Sequence, residues 1–268
     1  MSTSTATRFR ALHQHGLLRL ANAWDAGTAR LIEQLGAPAV ATTSAGLAWA
    51  QGYPDGDKLD PDALVHAVTG IARILTVPLT VDVEGGYSDD PAVVAATVAR
   101  VVRAGAAGIN LEDGAGDPAL LAAKIDAIRQ ACAAQRMDVF VNARTDVYLR
   151  GLAPEDARVD ETLARAARYR EAGADGLFVP GLTDAKAIRT LASRCGLPLN
   201  VMLRPQLQDL AALEALGVRR ISTGSALAES MYGRLGAQVA GFLRHERTSL
   251  PDPQAMGYGA INGLFDQG

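Results

Sequence analysis

The chain has 268 residues, 49% of them hydrophobic and 21% charged, with a formal net charge of -3. That length and apolar content suit one large domain with a substantial core, and the charge balance, with no lysine run or basic stripe, argues against nucleic acid or an acidic membrane surface as partner. No apolar run is long enough to span a bilayer, and the opening MSTSTATRFR lacks the apolar middle of a secretory signal, so a cytoplasmic protein is expected.

Short β-rich runs alternate with alanine-rich segments. In chain order the runs are LLRLANA (17–23), PAVATTS (38–44), PLTVDVE (78–84), AGINLE (107–112), DVFVNAR (138–144), DGLFVP (175–180), PLNVM (198–202) and RRISTGS (219–225). The segments between them read as amphipathic helices. In DPAVVAATVARVVRAGAAG, Asp90 supplies an N-cap, Pro91 the first helical position and Gly105 the stop. EAGADGLFVP and EALGVRRIST repeat the same helix–glycine–strand junction. The alternation predicts a parallel sheet, and about eight units in this length predict a (β/α)8 TIM barrel, which takes ~250 residues. The main rival is a doubly wound open sheet. It would usually carry G-x-G-x-x-G after its first strand, and ANAWDAG is not that motif. Without a linker or composition shift, residues 1–268 read as a single barrel domain. Its Gly- and Pro-rich tail, from about residue 248, is expected to pack on a neighbour or stay mobile. The two cysteines, Cys132 and Cys195, fall in helical segments without metal spacing, and no disulfide framework is expected.

Strand parity locates a site. Side chains alternate across a strand, so one set faces the helices and the other the barrel interior. In LTVDVE the apolar set is Leu79, Val81 and Val83, which leaves Thr80, Asp82 and Glu84 facing in. The same rule turns Asn110 and Glu112 inward, then Phe140, Asn142 and Arg144, then Asn200 and Met202. The polar members sit at or near the C-terminal ends of their strands, the end where barrel active sites lie. Three inward carboxylates, Asp82, Glu84 and Glu112, would repel one another, and a hard divalent cation resolves the conflict. Mg²⁺, or Mn²⁺ in its place, is therefore the expected cofactor, with Gly85-Gly86 leaving room for substrate. Arg144 has two readings: a structural ion pair with one of these acids, or a planar fork for a carboxylate or phosphonate. Ser44-Ala45-Gly46 after the second strand reads either as an ordinary turn or as backbone N–H donors for an oxyanion. RRISTGSAL offers Ser222, Thr223 and a helix N-terminus as a rival phosphate site.

Together, NAWDAGTARL, TTSAG followed by GYPDG, VDVEGGY, INLEDG, NARTDVYL and LFVPG resemble the isocitrate lyase/phosphoenolpyruvate mutase superfamily along nearly the whole chain. The resemblance implies a (β/α)8 barrel with Mg²⁺ at its C-terminal rim, acting on C–C or P–C bonds next to a 2-oxo acid through an enolate-like intermediate. It implies that Asp82 is the direct metal ligand and that Glu84 and Glu112 hold metal-bound waters. Asp55 would lie near metal and substrate, and Ser44, Ala45 and Gly46 would bind the 2-oxo acid carboxylate. Arg144 would contact substrate, with Trp24 and Asn200 at the pocket wall. It also implies a homodimer or homotetramer built with the C-terminal helix SALAESMYGRLGAQVAGFLRHE.

The sequence departs from the family in its proton-donor half. The lyases' K-K-C-G-H-like loop and the mutases' Lys-x-Asn-Ser-type segment are both missing from LEDGAGDPALLAAKI, and Cys132 lies too deep in the next helix to stand in. Pro180-Gly181 replaces the family's histidine, and His13, His15, His66 and His245 lie away from the rim strands. A metal-bound water, Tyr87 or Tyr148 is left to return a proton. The expected activity is a Mg²⁺-dependent carbon–carbon lyase or decarboxylase on a small 2-oxo or 2-hydroxy di- or tricarboxylate. The alternatives are phosphonate mutase or hydrolase chemistry, and a 2-oxo acid binding protein with little turnover.

Overall fold

The computed structural model describes residues 4–244, 250, 252, 253 and 255–266. In chain order the elements are α1 (Thr5–Ala11), β1 (Leu18–Leu20), β2 (Asn22–Ala23), α2 (Ala26–Gln34), β3 (Val40–Thr42), α3 (Ser44–Ala50), α4 (Pro61–Ile74), β4 (Leu79–Asp82), α5 (Pro91–Arg103), β5 (Ala106–Glu112), α6 (Pro118–Ala134), β6 (Phe140–Arg144), α7 (Arg158–Glu171), β7 (Gly176–Phe178), α8 (Ala185–Arg194), β8 (Leu199–Met202), α9 (Leu210–Ala215), β9 (Arg220–Ser222), α10 (Ala226–Leu243) and α11 (Tyr258–Gly263). All strand pairs are parallel. β1 pairs with β9 and β2 with β3, and only Ala21 separates β1 from β2. The two are one interrupted first strand that closes a (β/α)8 barrel.

Local sequence sets the helix starts. α4, α5 and α6 each begin with an Asp-Pro pair, in which the aspartate accepts from the amide two residues on: Asp60 from Asp62 (2.7 Å), Asp90 from Ala92 (2.8 Å) and Asp117 from Ala119 (2.7 Å). Each proline fills a position whose N–H would have had no partner. Asp25, Asp184 and Asp209 cap α2, α8 and α9. Repeated capping of this kind holds the helices to one side of their strands and leaves the strand C-termini to form the rim.

The apolar residues divide as parity requires. Val81, Ile109, Leu111, Val141, Ala143, Leu177 and Val201 pack outward with the helices in the main core. A second cluster lies inside the barrel, at its N-terminal end: Phe9, Leu18, Leu20, Ala39, Ala41, Ala107 and Phe140. Ala107 enters it because the β4–β5 register shifts between Leu79 and Thr80, which pair with Ala106 and Gly108 and leave Ala107 as the extra residue of a bulge. α1 plugs this end. Phe9 is fully buried edge-on to Phe140, 5.4 Å between centroids, and His13 stacks on Phe140 at 4.2 Å. Gly108 must be glycine here, because a Cβ would stand 2.7 Å from the Phe9 ring.

α10 leaves the barrel wall. Ala228 is its buried residue, while Met231, Tyr232, Leu235, Val239 and Phe242 are exposed. An apolar groove of about 770 Å³ runs along the outer side of β1 and β9, lined by Leu17, Ile32, Leu35, Leu203 and Leu210 among others. Part of the C-terminal tail folds back, with Leu264 O accepting from Arg30 Nε at 2.7 Å. Among the described residues, no helix is long and apolar enough to cross a membrane.

Phe9→Ala removes the plug's central ring and should cost roughly 3–5 kcal/mol of unfolding free energy, read from urea denaturation.

Candidate active site

The rim is built where β4, β5 and β6 end. Asp82 is in register with Asn110, and Glu112 with Arg144. The ladder runs past Asp82: Val83 N donates to Asn110 O (3.1 Å) and Glu112 N to Glu84 O (2.9 Å). Asp82 N donates to Thr42 Oγ1 at 2.9 Å, which ties β4 to β3 at the base of the site.

Beyond β4 the chain makes a strained turn interlocked with the 55–57 loop. Glu84 Oε2 accepts from Gly56 N (2.8 Å) and from Asp57 N. Asp57 Oδ1 returns the contact, accepting from Gly85 N (3.1 Å) and Tyr87 N (3.0 Å). Asp57, Glu84 and Tyr87 all adopt positive φ, a costly backbone conformation for non-glycine residues that persists where surrounding bonds fix it. The glycines do not open space for substrate as the sequence suggested. A Cβ on Gly85 would lie 2.6 Å from Asp57 Oδ2, and one on Gly86 2.6 Å from Val94, so both positions are filled by close approach. Lys124, buried on α6, holds the turn from outside through Gly85 O at 2.8 Å.

Arg144 is occupied by acids. Its Nη1 pairs with Glu112 at 2.5 Å, and its Nε and Nη2 grip Asp146 at 2.7 and 3.1 Å. Asp146 is fully buried and also takes Arg150 Nε at 2.9 Å. Its amide donates to Asp113, which is held in turn by Arg165 Nη1 (2.9 Å) and Tyr169 OH (2.6 Å). Both readings of Arg144 therefore have a basis: it is an ion-pair partner, and one N–H on each terminal nitrogen remains for a ligand.

These enclosed charges shift one another. Burial raises the Asp82 carboxyl, with Arg144 opposing and Asp55 reinforcing the rise. Burial pushes Glu84 up to about 7 against the Asp57 amide bond, with Asp55, Asp57 and Asp82 adding to the rise. Glu112 goes up to about 8 through burial, since Arg144 is shared with Asp146 and Asp82. The Tyr87 hydroxyl is buried beside Glu84, and desolvation followed by the negative charge of Glu84 and Asp82 keeps it protonated.

The three predicted metal carboxylates share one rim but not one cage. Among the described residues, no three acid, histidine or cysteine side chains stand close enough to ligate a common ion. Glu84 is turned to the 56–57 amides and Glu112 to Arg144. A single-carboxylate site fits better. The Asp82 carboxylate accepts from Glu84 N at 3.2 Å and has no ion pair within salt-bridge distance among the described residues. Glu84 Oε1 is buried beside Tyr87 and, among the described residues, makes no hydrogen bond of normal geometry. An all-oxygen set with one direct carboxylate, and further acids positioned to hold its waters, suits Mg²⁺ or Mn²⁺.

The other predicted residues divide. Ser44, Ala45 and Gly46 are the first turn of α3 rather than a free turn. Thr43 Oγ1 caps Gly46 N at 3.4 Å and leaves the Ser44 and Ala45 amides without intrahelical partners. Trp24 is buried against this turn, and a Cβ on Gly46 would meet Trp24 Cβ at 2.9 Å. Asp55 is exposed on the loop above Asp82 and Glu84. Asn200 does not join the rim. It is fully buried, and its amide nitrogen, oriented to satisfy its neighbours, donates to Val201 O (3.2 Å) and Arg220 O (3.1 Å). The rival phosphate site after β9 is closed, because Asn22 Oδ1 already accepts from Thr223 N (3.0 Å) and Gly224 N (3.1 Å). His13 lies under the barrel, both cysteines are buried in the helical layer, and His245 lies outside the described residues. Asp57, Asp113, Asp146 and Lys124 were not anticipated. Of these, only Asp146, which follows Arg144 by two in NARTD, carries a signal in the sequence.

Beside the rim a cleft of about 280 Å³ is lined by Asp57, Gly85, Glu112, Gly114, Asp117 and Lys124. A (β/α)8 barrel with its charged residues gathered at the C-terminal mouth has the organisation of a barrel enzyme. Comparison with known proteins agrees. The family described as phosphoenolpyruvate phosphomutase matches residues 9–243. An uncharacterized protein of Mycobacterium tuberculosis is 41% identical over 81% of each chain. An oxaloacetate decarboxylase of Bradyrhizobium sp. is 30% identical over 73% of each. A crystal structure from Burkholderia cenocepacia J2315, named a candidate phosphonomutase, superposes with a TM-score of 0.83 at 41% identity, covering 89% of this chain and 98% of that one. The chain belongs to the isocitrate lyase/phosphoenolpyruvate mutase superfamily and is an enzyme of its lyase and mutase type.

The raised carboxyls set a pH dependence. Between the ordinary glutamate range, near 4.5, and about 7 to 8, the folded protein retains protons at Glu84 and Glu112 that the unfolded chain has released, so stability falls as pH rises through that window. Metal-free protein should lose Tm from pH 6 to pH 8.5 by differential scanning calorimetry, and Glu84→Gln with Glu112→Gln should flatten the slope.

Proposed function

We propose that this enzyme is a divalent-metal-dependent carbon–carbon lyase acting on a small 2-oxo dicarboxylate in the cytoplasm, and that decarboxylation of oxaloacetate is its leading reaction. The observation that carries the reading is the pairing of an under-coordinated Asp82 with Arg144 on one rim. The first suits the 2-oxo acid end through a cation; the second has N–H groups left for a further carboxylate. The oxaloacetate decarboxylase relative supports the same substrate class. Asp82 would hold the metal directly, with Glu84, Glu112 and Asp55 around its waters. When bound, such a cation supplies electrostatic stabilisation of negative charge developing on substrate oxygen.

The protein's own groups do the rest. The Ser44 and Ala45 amides bind the carboxylate next to the 2-oxo group. Arg144, locked by Asp146, orients the distal carboxylate so that the bond to it lies across the carbonyl plane. As C3–C4 breaks, the electron pair moves toward the C2 oxygen and carbon dioxide leaves. A proton returns to C3 from water or from Tyr87, whose hydroxyl is buried beside Glu84. Loss of carbon dioxide needs no base at the leaving group, which fits a rim with no histidine or cysteine among the described residues. Phosphonate chemistry is the second reading, favoured by the family match and the B. cenocepacia neighbour.

A ¹H NMR time course over oxaloacetate, 2-oxoglutarate, isocitrate, methylisocitrate, a dimethylmalate and phosphonopyruvate, with Mg²⁺ and with EDTA, separates these readings. Mg²⁺-dependent pyruvate from oxaloacetate above background is expected. Turnover of phosphonopyruvate alone would transfer the assignment to P–C chemistry, and Mg²⁺-dependent line broadening without product would indicate a binding protein. Asp82→Ala should abolish Mg²⁺-dependent turnover. Arg144→Lys should cost a dicarboxylate at least ~10-fold more than pyruvate, because a point charge cannot replace the fork.

The exposed apolar face of α10, together with the bare groove along β1 and β9, supports a homodimer or homotetramer in which a second copy covers both. Leu235→Glu with Phe242→Glu should lower the mass measured by light scattering toward one chain.

A further inference from the structure

Arg220 begins β9 in register with Asn200 and faces the barrel interior. It is 1% exposed and heads the fully buried side chains by volume. A buried guanidinium is ordinarily paired and hydrogen-bonded, since an uncompensated internal charge is costly. Here Nη2 donates to Asn110 Oδ1 at 3.1 Å, while Nε and Nη1 have no hydrogen-bond partner among the described residues. The guanidinium carbon lies 5.7 Å from the centroid of the Phe9 ring, whose π face compensates part of the charge. Asn110 fixes the location. Its Oδ1 also accepts from Asn142 Nδ2 at 2.9 Å, and its backbone is in register with Asp82 on the adjacent strand. Neighbouring strands lie ~4.8 Å apart and these two residues share the inward face, so the cation sits beneath the Asp82 carboxylate. Burial lowers Arg220 to about 9 and raises Asp82, and each charge opposes the other's shift: Asp82 favours the charged form of Arg220, and Arg220 joins Arg144 in favouring the charged form of Asp82.

We propose that Arg220 is a fixed countercharge under Asp82 that weakens the rim's hold on a bare divalent cation, so that the cation is held firmly only together with an anionic substrate. The inference rests on the divalent-cation reading of the site and adds a positioning residue to it. A cation locked between Asn110 and Phe9 cannot move away when a second cation arrives above Asp82, and its burial leaves it weakly screened. An anionic substrate restores the balance, so cation and substrate reinforce each other's binding.

The test is Mn²⁺ binding, followed by the electron paramagnetic resonance signal of the free ion. Arg220→Met and Arg220→Gln, which both remove the charge, should each bind Mn²⁺ roughly 10-fold tighter than the unmodified protein. A purely structural role would weaken binding in both. Unchanged or weaker binding by folded Arg220→Met overturns the proposal. If the unmodified protein binds no Mn²⁺, the metal reading fails, and a stability cycle then decides the charge pair on its own. Arg220→Met combined with Asp82→Asn should lose less stability than the sum of the two single changes, and should fold even if Arg220→Met alone does not. Additive losses, or a double variant that also fails to fold, overturn the pairing.

Discussion

Arg144 stands among more negative charge than one guanidinium can neutralise, and the rim is arranged around that imbalance. Glu112 and Asp146 touch it, and Asp82 feels it from the adjacent position. Asp146 is the better served of its contacts, because Arg150 shares its charge. Among the described residues, Glu112 has Arg144 alone and Asp82 has no direct cation. The deficit is thus graded across the rim and greatest at Asp82. Satisfying every acid internally would have stabilised the fold and left nothing for a ligand to complete.

The two halves of the barrel answer different requirements. Toward the N-terminal end, rings and aliphatic side chains fill the interior, and α1 closes it. Toward the C-terminal end the interior turns polar, through Asn110, Asn142 and Arg220 to the acids. The clasp between Glu84 and the 56–57 amides, returned by Asp57 to the 85–87 amides, fixes the mouth on one side. The Asp113–Arg165–Tyr169 cluster anchors the Asp146 end on the other. Each clasp spends a carboxylate on backbone or core groups to hold another one in place.

Much of this could be read from the residues in order. Alternation in LTVDVE, GINLE and VFVNAR fixed which side chains face inward, because a strand with one apolar set has only one way to bury it. What resisted reading was contact across elements. Asp57 looks like one more acid in a polar loop until the 84–87 turn is folded against it. Ser44-Ala45-Gly46 reads as a turn, since nothing in TTSAG reveals that Thr43 caps a helix. The first arginine of the RRIS pair is half-buried and the second is sealed in, a difference that parity allows but charge alone argues against. Asn200 obeyed parity and still missed the rim, because its amide found backbone carbonyls before it could reach a ligand.

The plug formed by Phe9, His13 and Phe140 makes the barrel a well with one opening rather than a passage. Whatever enters or leaves the interior must use the same mouth, framed by the 55–57 and 84–87 loops and the short 113–117 connection. Traffic through such a site is sequential by construction: what leaves must clear the entrance before what arrives can settle. Turnover is then tied to the looseness of a doorway as well as to chemistry at its floor. The strained, mutually clasped loops at that doorway are where the two demands meet.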